Sequence, residues 1–498
     1  MDSEDSDDSS NSSREFLIEL PMAPDASDSE CSSMLSEGAD HASANLANAN
    51  IPVALAKYSL PSIFSLIVEN VIDLFTVGLI GNVGGALSLA RKLTIYNVAS
   101  PTEFIPYSFG IGIGMSVSSL VSHAVARYDL LACRRLIAKS YVLCAIAACL
   151  CLLFIPVLGL ILPAMGCPEA LLSHATTYGR IALCAAPFAI YTSLFENLLR
   201  AYGRTKSASA VPVFTVIINV IFNLIATLAL HAHIYWVAVA PIVSNLCGCL
   251  LGFFLFRHAT DKASPSFTSL FDSDFFSLFK LSFSNFSVNL LYVTDSIIIT
   301  SALSGATSGQ FQDNIVASAG IALKMIQLVM NLSQGIGEGA LPMLSFFLGA
   351  KRSLKFNKTC SYSAIYMVCI TTPFAILLLC APKVFSNLFV DGNVDLLDLV
   401  VAIVRRWSPL LFVSPIYILS ITVLGAYHRN IYILSLLVAR LTVQLSMSIA
   451  GSVKHDYDIV LWSMPVCYYA ASLVAASMLV FLVISKKKHK MRNLTSLA

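Results

Sequence analysis

Long apolar runs recur along this chain and constrain its fold more than any other feature. A helix of about 20 apolar residues crosses ~30 Å of hydrocarbon, and a helix satisfies all its backbone hydrogen bonds within that layer. The runs therefore predict an all-α integral membrane protein with twelve transmembrane helices. The predicted spans lie near 57–81, 101–123, 139–163, 179–200, 207–229, 234–256, 279–303, 315–348, 360–382, 401–424, 431–450 and 459–485.

Composition excludes a soluble domain. The chain is 57% hydrophobic and only 12% charged, with a mean hydropathy of +0.76. Soluble domains carry roughly 25% charged residues, and a soluble fold of this size has to expose more polar surface than this chain can supply. The thirteen cysteines lie mostly inside apolar runs, where they are expected to act as small hydrophobic residues rather than metal ligands or disulfide partners.

The charges divide the chain into segments. Residues 1–50 hold twelve acidic residues and one basic residue, and such a polar segment cannot bury enough apolar surface to order itself. The predicted segments are a disordered, acidic, Ser-rich cytosolic tail (1–50), an N-terminal six-helix bundle (51–256), a cytosolic linker (257–274), a C-terminal six-helix bundle (275–485) and a basic cytosolic tail (486–498).

Basic residues predict the orientation of the spans. Lys and Arg concentrate in the loops that follow even-numbered spans, as with Arg134, Arg204 and Lys351, and in the cluster at 486–490. Because such loops stay cytosolic, both termini are predicted to face the cytosol. The basic cluster is expected to bind membrane lipids through their anionic headgroups rather than nucleic acid. The sequence leaves open whether the membrane is the plasma membrane or that of an internal organelle.

The two sets of six spans match each other. GIGIG at 110–114 aligns with GIGEG at 335–339, and RAYGR at 200–204 aligns with GAYHR at 425–429, both at an offset of 225. Since six is even, the two bundles share one orientation and are related by a pseudo-two-fold axis along the membrane normal. Transporters with such repeats bind substrate between the halves and rock about that site. The glycines of both runs are expected to allow close helix packing.

The first span carries two acidic residues, Glu69 and Asp73, four positions apart and therefore on one face. Ionisable groups at membrane depth are costly and usually face a bundle interior or a water-filled cavity. Two carboxylates so close together cannot both ionise easily, so this pair can bind a proton, a small cation or an organic cation. Glu69 also has a structural interpretation, as a snorkelling or hydrogen-bonded side chain.

Polar stripes mark spans five and eleven. Thr215, Asn219 and Asn223 follow one another at intervals of four, and their repeat partners begin with Arg440 and Gln444. Both stripes are predicted to face the bundle interior. Since polar stripes also hold helices together, the sequence leaves a substrate role and a packing role equally open.

The second half combines acidic and basic residues. Asp295 and Glu338 are accompanied by Lys324 and Arg440, and these four charges are expected to neutralise one another. The first six spans offer no comparable deep basic residue. We therefore predict that ion coupling lies in the first half, with Asp73, Glu69, Asn219 and Asn223 as its residues. Thr215 and the charged group of the second half, together with Gln444, are the predicted substrate-cavity residues.

The chain contains no G-x-x-x-x-G-K-[ST] sequence, the motif that cradles nucleotide phosphates. Transport without an ATPase module has to be driven by an ion gradient. The prediction is therefore a non-enzymatic protein without metal or other cofactor, coupled to H⁺ or Na⁺.

Several motifs together resemble the multidrug and toxic-compound extrusion (MATE) family. They are P61 followed by D73LFTVG, MGCPEALL at 165–172, LLRAYGRTKSA at 198–208 and GIGEGALPMLSFFLGAKR at 335–352. The resemblance implies a V-shaped exporter, driven by H⁺ or Na⁺, that moves cationic or amphipathic compounds. It places Asp73 at the coupling carboxylate of the family and Asn219 at its span-five asparagine. Asn223 stands where many bacterial members have Asp. Other branches usually carry a Glu in span seven, where this chain offers Asp295 and the match between the two positions is left open. The acidic tail and the loose motifs indicate a divergent, eukaryotic member.

The leading hypothesis is a monomeric exporter of small molecules. A lipid-linked sugar flippase is the alternative within the same superfamily, although flippases often have fourteen spans and an Arg-rich cavity. A channel or receptor is a third possibility, which a two-fold repeat of six spans disfavours. A membrane-embedded enzyme would need a clustered catalytic set, and His123, His231 and His233 lie near span ends without forming one.

Overall fold

The structure is a computed structural model, and it describes most of the chain. The predicted tail at 1–50, except its last residue, and most of the 257–274 linker lie outside the described residues, as do the side chains of Glu69 and Asp73. The described residues are 50–80, 83–84, 92, 95–96, 98–99, 101–164, 169–259, 265–266, 272–386 and 394–495.

Eight described α-helices belong to the first half. They are α1 (Ile51–Leu79), α2 (Pro101–Val125), α3 (Leu130–Leu153), α4 (Leu158–Ala164), α5 (Glu169–Leu183), α6 (Ala186–Ala201), α7 (Thr205–Leu224) and α8 (Tyr235–Ala259). A short π-helical segment, Ile225–Ala229, continues α7.

Eight more described α-helices belong to the second half, in the same order. They are α9 (Ser273–Ala306), α10 (Gly309–Gly349), α11 (Ser353–Cys380), α12 (Pro382–Ser386), α13 (Val394–Trp407), α14 (Leu410–Ala426), α15 (Asn430–Val453) and α16 (Tyr457–Thr495).

Twelve spans follow from these helices. Ten described helices are each long and apolar enough to cross a membrane, and two bent pairs complete the set. The pair α5 and α6 bends by 42° and forms span four, and the pair α13 and α14 bends by 52° and forms span ten. Pro187 follows the first break and Pro409 lies within the second, and a proline interrupts a helix because it cannot donate a backbone hydrogen bond. The prediction of an all-α membrane protein with two six-helix halves is confirmed.

Short turns after spans two, four, eight and ten lie at one end of the molecule, which we call the turn end. Each closes its helix with a Schellman motif, as where the Arg204 N–H donates to Leu199 O (2.9 Å) and the Arg429 N–H to Leu424 O (3.0 Å). The motif needs a residue with positive φ, which glycine adopts most easily. The residues at these positions are Tyr128 (58°), Gly203 (74°), Lys351 (54°) and His428 (54°).

The two halves meet along a surface that we call the seam, where α1 and α2 pack against α9 and α10. Glycines allow this approach: a Cβ on Gly112 would lie 2.8 Å from Phe286 Cα, and one on Gly335 would lie 2.8 Å from Ile63 Cα. The predicted role of the glycines in close packing is confirmed. Away from the seam, large apolar side chains such as Leu160 (79% exposed) cover the outer surface, as expected of helices that face lipid.

These contacts correct the register of the repeat. Gly112 and Gly335 occupy equivalent places on the seam, and so do Ile63 and Phe286, and both pairs have an offset of 223. The sequence alignment of GIGIG with GIGEG at 225 is therefore wrong by two residues. Two positions rotate a helix by about 200°, so the sequence register would have turned the contacting glycine away from the opposite half. The offset of 225 does hold for Gly203 and His428, the positive-φ residues that end spans four and ten.

Candidate functional site

The polar stripe of span five links α7 to α8. The Asn223 Nδ2 donates to Asn219 Oδ1 (2.7 Å), and the Asn219 Nδ2 donates to Ser244 Oγ on α8 (3.3 Å). Thr215, one turn earlier, donates to its own helix at Val211 O (3.0 Å). Asn223 is 2% exposed, and its Oδ1 accepts no hydrogen bond from any described residue. The stripe therefore holds two helices together and keeps one buried acceptor oxygen.

The matching stripe of span eleven contains a buried ion pair. Arg440 on α15 binds Asp295 on α9, and both side chains are almost completely buried. The guanidinium lies 4.1 Å from the ring centroid of Tyr468 and 5.8 Å from that of Tyr417, distances at which aromatic faces attract a cation. Gln444 is fully buried one turn further along α15. This cluster is electrically neutral as a unit.

A second buried ionic cluster crosses the seam. Arg200 of α6 binds Glu196 on its own helix, and its Nη1 donates to Glu338 Oε2 on α10 across 2.9 Å. The side chains of Arg200 and Glu338 are only 4% and 5% exposed. A cavity with room for about one water molecule borders the cluster, lined by Ser65, Leu66, Tyr107, Ile111, Glu196, Asn197, Arg200 and Glu338.

The second-half charges do not neutralise one another as predicted. Asp295 does pair with Arg440, but Glu338 pairs with Arg200 of the first half. Lys324 is exposed on α10. The expectation that the first six spans carry no deep basic residue is also wrong, because Arg200 is buried. The predicted span four, 179–200, has Arg200 as its last residue, whereas in the structure this side chain is buried at the seam.

The predicted coupling carboxylates lie on α1, a seam helix. Its backbone is helical through Leu79, so Glu69 and Asp73 share one face of the helix, as their spacing predicts. Their side chains lie outside the described part of the structure, and their assignment remains a prediction.

Hydrogen bonds close the seam at the turn end. Ser119 Oγ of α2 lies 2.8 Å from Ser345 Oγ of α10 and 3.1 Å from His428 Nε2. The ring of His123 packs edge-on against that of His428, with centroids 5.8 Å apart. Deeper along the seam, the Asn285 Nδ2 donates to Ser116 Oγ (2.9 Å). In this structure the halves are therefore joined from the turn end to the middle of the spans.

Sequence reasoning missed the participation of Glu196, Arg200 and His428. The spacing of four between Glu196 and Arg200 was a visible signal, because such pairs face each other on a helix. His428 carried none, since its contact with Ser119 spans 309 positions in the sequence.

Comparison with known proteins adds the family context. The family model MatE matches this chain twice, over residues 61–225 and 281–449. Each match falls within one six-helix half, which confirms the internal repeat. The multidrug export protein MepA of Staphylococcus haemolyticus is 23% identical over 339 residues, covering 64% of this chain and 70% of that protein. MepA of Staphylococcus aureus is 21% identical over 335 residues, covering 65% and 71%.

Solved structures share the fold. The crystal structure of MATE in complex with MaL6 superposes with a TM-score of 0.80 at 15% identity, covering 89% of this chain and 99% of that one. The outward-facing conformation of a multidrug resistance MATE family transporter gives a TM-score of 0.77 at 15% identity, with coverage of 88% and 98%. At these identities the likeness is one of architecture.

Proposed function

This chain belongs to the MatE family of membrane transporters, and on that premise we propose that it is a secondary active exporter of organic, cationic or amphipathic compounds. Family members are transporters and not enzymes, and this chain is a multi-pass membrane protein. The observation that carries the proposal is the pair of family matches, one on each six-helix half, with a seam between the halves. Two such halves can rock about a substrate held between them.

The exchanged ion is H⁺ or Na⁺, and Asp73 on α1 is the proposed coupling carboxylate. Two features support the first half as the place of coupling. Arg440 already neutralises Asp295 in the second half, whereas the stripe of Asn219 and Asn223 supplies neutral groups and one buried acceptor oxygen. A carboxylate beside such groups can gain and lose a cation without breaking an existing ion pair.

The turn end is proposed to face the cytosol. The basic residues Arg134, Arg204 and Lys351 lie at or near its turns, and such residues favour the cytosolic side. Because the seam is joined at this end, the structure then corresponds to the state closed towards the cytosol. Both termini would be cytosolic, the working unit a monomer, and the membrane either the plasma membrane or that of an organelle.

Flux into or out of proteoliposomes tests the ion coupling. A proton gradient and a sodium gradient are imposed separately, and uptake of a cationic dye is measured per reconstituted protein. One of the two gradients should drive flux in the wild type. The Asp73→Asn variant should insert into the membrane normally but show no gradient-driven flux, because a neutral amide cannot exchange a cation. Asp398→Asn, which removes an exposed partner of Lys383, is the matched control. Near-normal flux in Asp73→Asn would overturn the assignment of Asp73.

Cysteine labelling tests the orientation. After removal of native thiols, single cysteines placed in 353–358 or 426–430 should react with an impermeant reagent only from the cytosolic side. Labelling of either segment from the opposite side would reverse the proposed topology.

A further inference from the structure

Two carboxylates share a single guanidinium at the seam. Arg200 holds Glu196 from its own helix and Glu338 from the opposite half. If these three described groups are all ionised, together they carry one surplus negative charge. The side chains are 4%, 14% and 5% exposed for Arg200, Glu196 and Glu338, respectively, so water screens that charge poorly.

A surplus charge in such a place is costly, because desolvation and the like charge both oppose ionisation of the second carboxylate. One proton shared by the two carboxylates removes the surplus and leaves the guanidinium paired. The adjoining cavity has room for about one water and brings Ser65 and Asn197 next to the cluster. Tyr107 is the further titratable group among its lining residues, and the charged groups that act on Glu196 within the described part of the chain are Arg200 and Glu338.

The two carboxylates have different mechanical roles. Glu196 lies four residues before Arg200 on α6, so it moves with Arg200 whatever the halves do. Glu338 comes from α10, and its contact with Arg200 lasts only while the halves are together. The cluster also occurs once: Ile421 and Gly425 stand at the repeat positions of Glu196 and Arg200, and Met115 at that of Glu338.

We propose that Glu196, Arg200 and Glu338 form a proton-binding latch, which takes up one proton when the turn end closes and releases it when the turn end opens. On opening, Arg200 keeps Glu196 and remains neutralised, while Glu338 separates from Arg200 and the shared proton passes to water. With the turn end on the cytosolic side, each cycle would deliver a proton to the cytosol, opposite to the direction of export. This inference rests on the alternating access of the proposed function.

His428, at the turn end, responds to pH in the opposite sense to the latch. Burial, and next the neighbouring His123, lower the pKa of His428 to about 3. Opening would return His428 to water, where its ordinary pKa is about 6.5. The open state then binds more protons at His428 than the closed state does. This histidine therefore favours closure as the pH rises from about 3 to about 6.5. The contribution of the latch has the opposite sign, so a variant that changes only the latch separates the two.

Distance measurement between the halves tests the latch. Spin labels are attached through unnatural amino acids at Leu131 and Leu354, which are 47% and 78% exposed and lie at equivalent places in the two halves near the turn end. The ratio of short to long distances is measured in full-length protein in lipid, without substrate, between pH 5 and 9. The variants are Glu196→Gln and Glu338→Gln, with Asp398→Asn as the matched control.

Glu196→Gln removes the surplus carboxylate and should favour the short distance at every pH. The ratio of short to long distances in the wild type, divided by the same ratio in Glu196→Gln, should rise by up to about tenfold for each unit by which the pH falls. This is the limit for the uptake of one proton. Glu338→Gln should favour the long distance, because the cross-seam ion pair is lost. Its distance ratio should also lack the pH dependence that the latch gives to the wild type. Asp398→Asn should follow the wild type.

If the distance ratio in Glu196→Gln depends on pH in the same way as in the wild type, the latch is overturned. Such a result would mean that the ion pair is merely structural and that the surplus carboxylate binds no proton on closure. A shift caused by replacing choline with Na⁺ at fixed pH, and abolished in Glu196→Gln, would also overturn the assignment to a proton. Because no substrate is present, this result is independent of flux. A protein without gradient-driven export can still show proton-linked closure, and an active exporter can lack it.

Discussion

Spans five and eleven occupy equivalent places in the two halves, yet their polar side chains differ in kind. On α7 the positions are Thr215, Asn219 and Asn223, which are neutral and hydrogen-bonded within the first half. On α15 the same positions begin with Arg440, whose charge is buried against Asp295. Helix packing has preserved the backbone repeat, while the chemistry of the two interiors has diverged.

The difference determines what each half can do with an ion. In the second half a cation has to displace Arg440 from Asp295, and separating a buried pair strands both charges. In the first half no such partner occupies the described part of the stripe, and Asn223 Oδ1 is a buried acceptor. The contrast supports the proposal that ion exchange takes place in the first half, whereas the second interior is held together by its buried ion pair.

The largest expected effect comes from breaking the second-half ion pair. Arg440→Met should destabilise the protein by roughly 3–5 kcal/mol, because it leaves Asp295 buried without its partner. Asp295→Asn should also destabilise, since it strands Arg440. Thermal unfolding in detergent measures both. The double variant Asp295→Leu with Arg440→Met should recover much of the loss, and a double variant less stable than either single one would contradict the role assigned to the pair.

An intermediate effect is expected at the seam. Gly112→Ala and Gly335→Ala place a Cβ 2.6 and 2.8 Å, respectively, from the nearest backbone atom of the opposite half, and such overpacking typically costs about 1–3 kcal/mol. Both should shift the label distances towards the open state, and by similar amounts if the offset of 223 is right. Gly320→Ala is the control, because a Cβ there meets no described atom within 4 Å. A strong effect of one substitution without the other would argue against the symmetric seam.

The smallest effect concerns the first-half stripe. A double-mutant cycle with Asn219→Ala and Ser244→Ala should give a coupling free energy of about 0.6 kcal/mol, the average for hydrogen bonds between membrane helices. Reversible unfolding in mild denaturant provides the four stabilities. A coupling free energy several times larger would mean that the stability of both halves depends equally on their interior polar contacts. The contrast between the neutral stripe of the first half and the ion pair of the second half would then not hold.

Much of the fold could be predicted because the signals are local. An apolar run long enough to span the membrane is visible within a single helix, and the match between RAYGR and GAYHR identified two turns whose positive-φ residues, Gly203 and His428, are indeed equivalent. The pairing of Asp295 with Arg440 was among the predicted contacts. The register of the glycine runs could not be obtained this way, because glycines at alternate positions allow several alignments and only their contacts distinguish them.

The sequence by itself determined the membrane-spanning helices, the two-fold repeat and the family, since hydropathy, spacing and motif order are properties of the chain. Only the tertiary structure decided which charges meet. Glu338 pairs with Arg200, 138 positions away, and not with a charge of its own half. The physical reason is that an ion pair depends on distance in space, and the distance across the seam is set by glycines and small side chains that carry no charge.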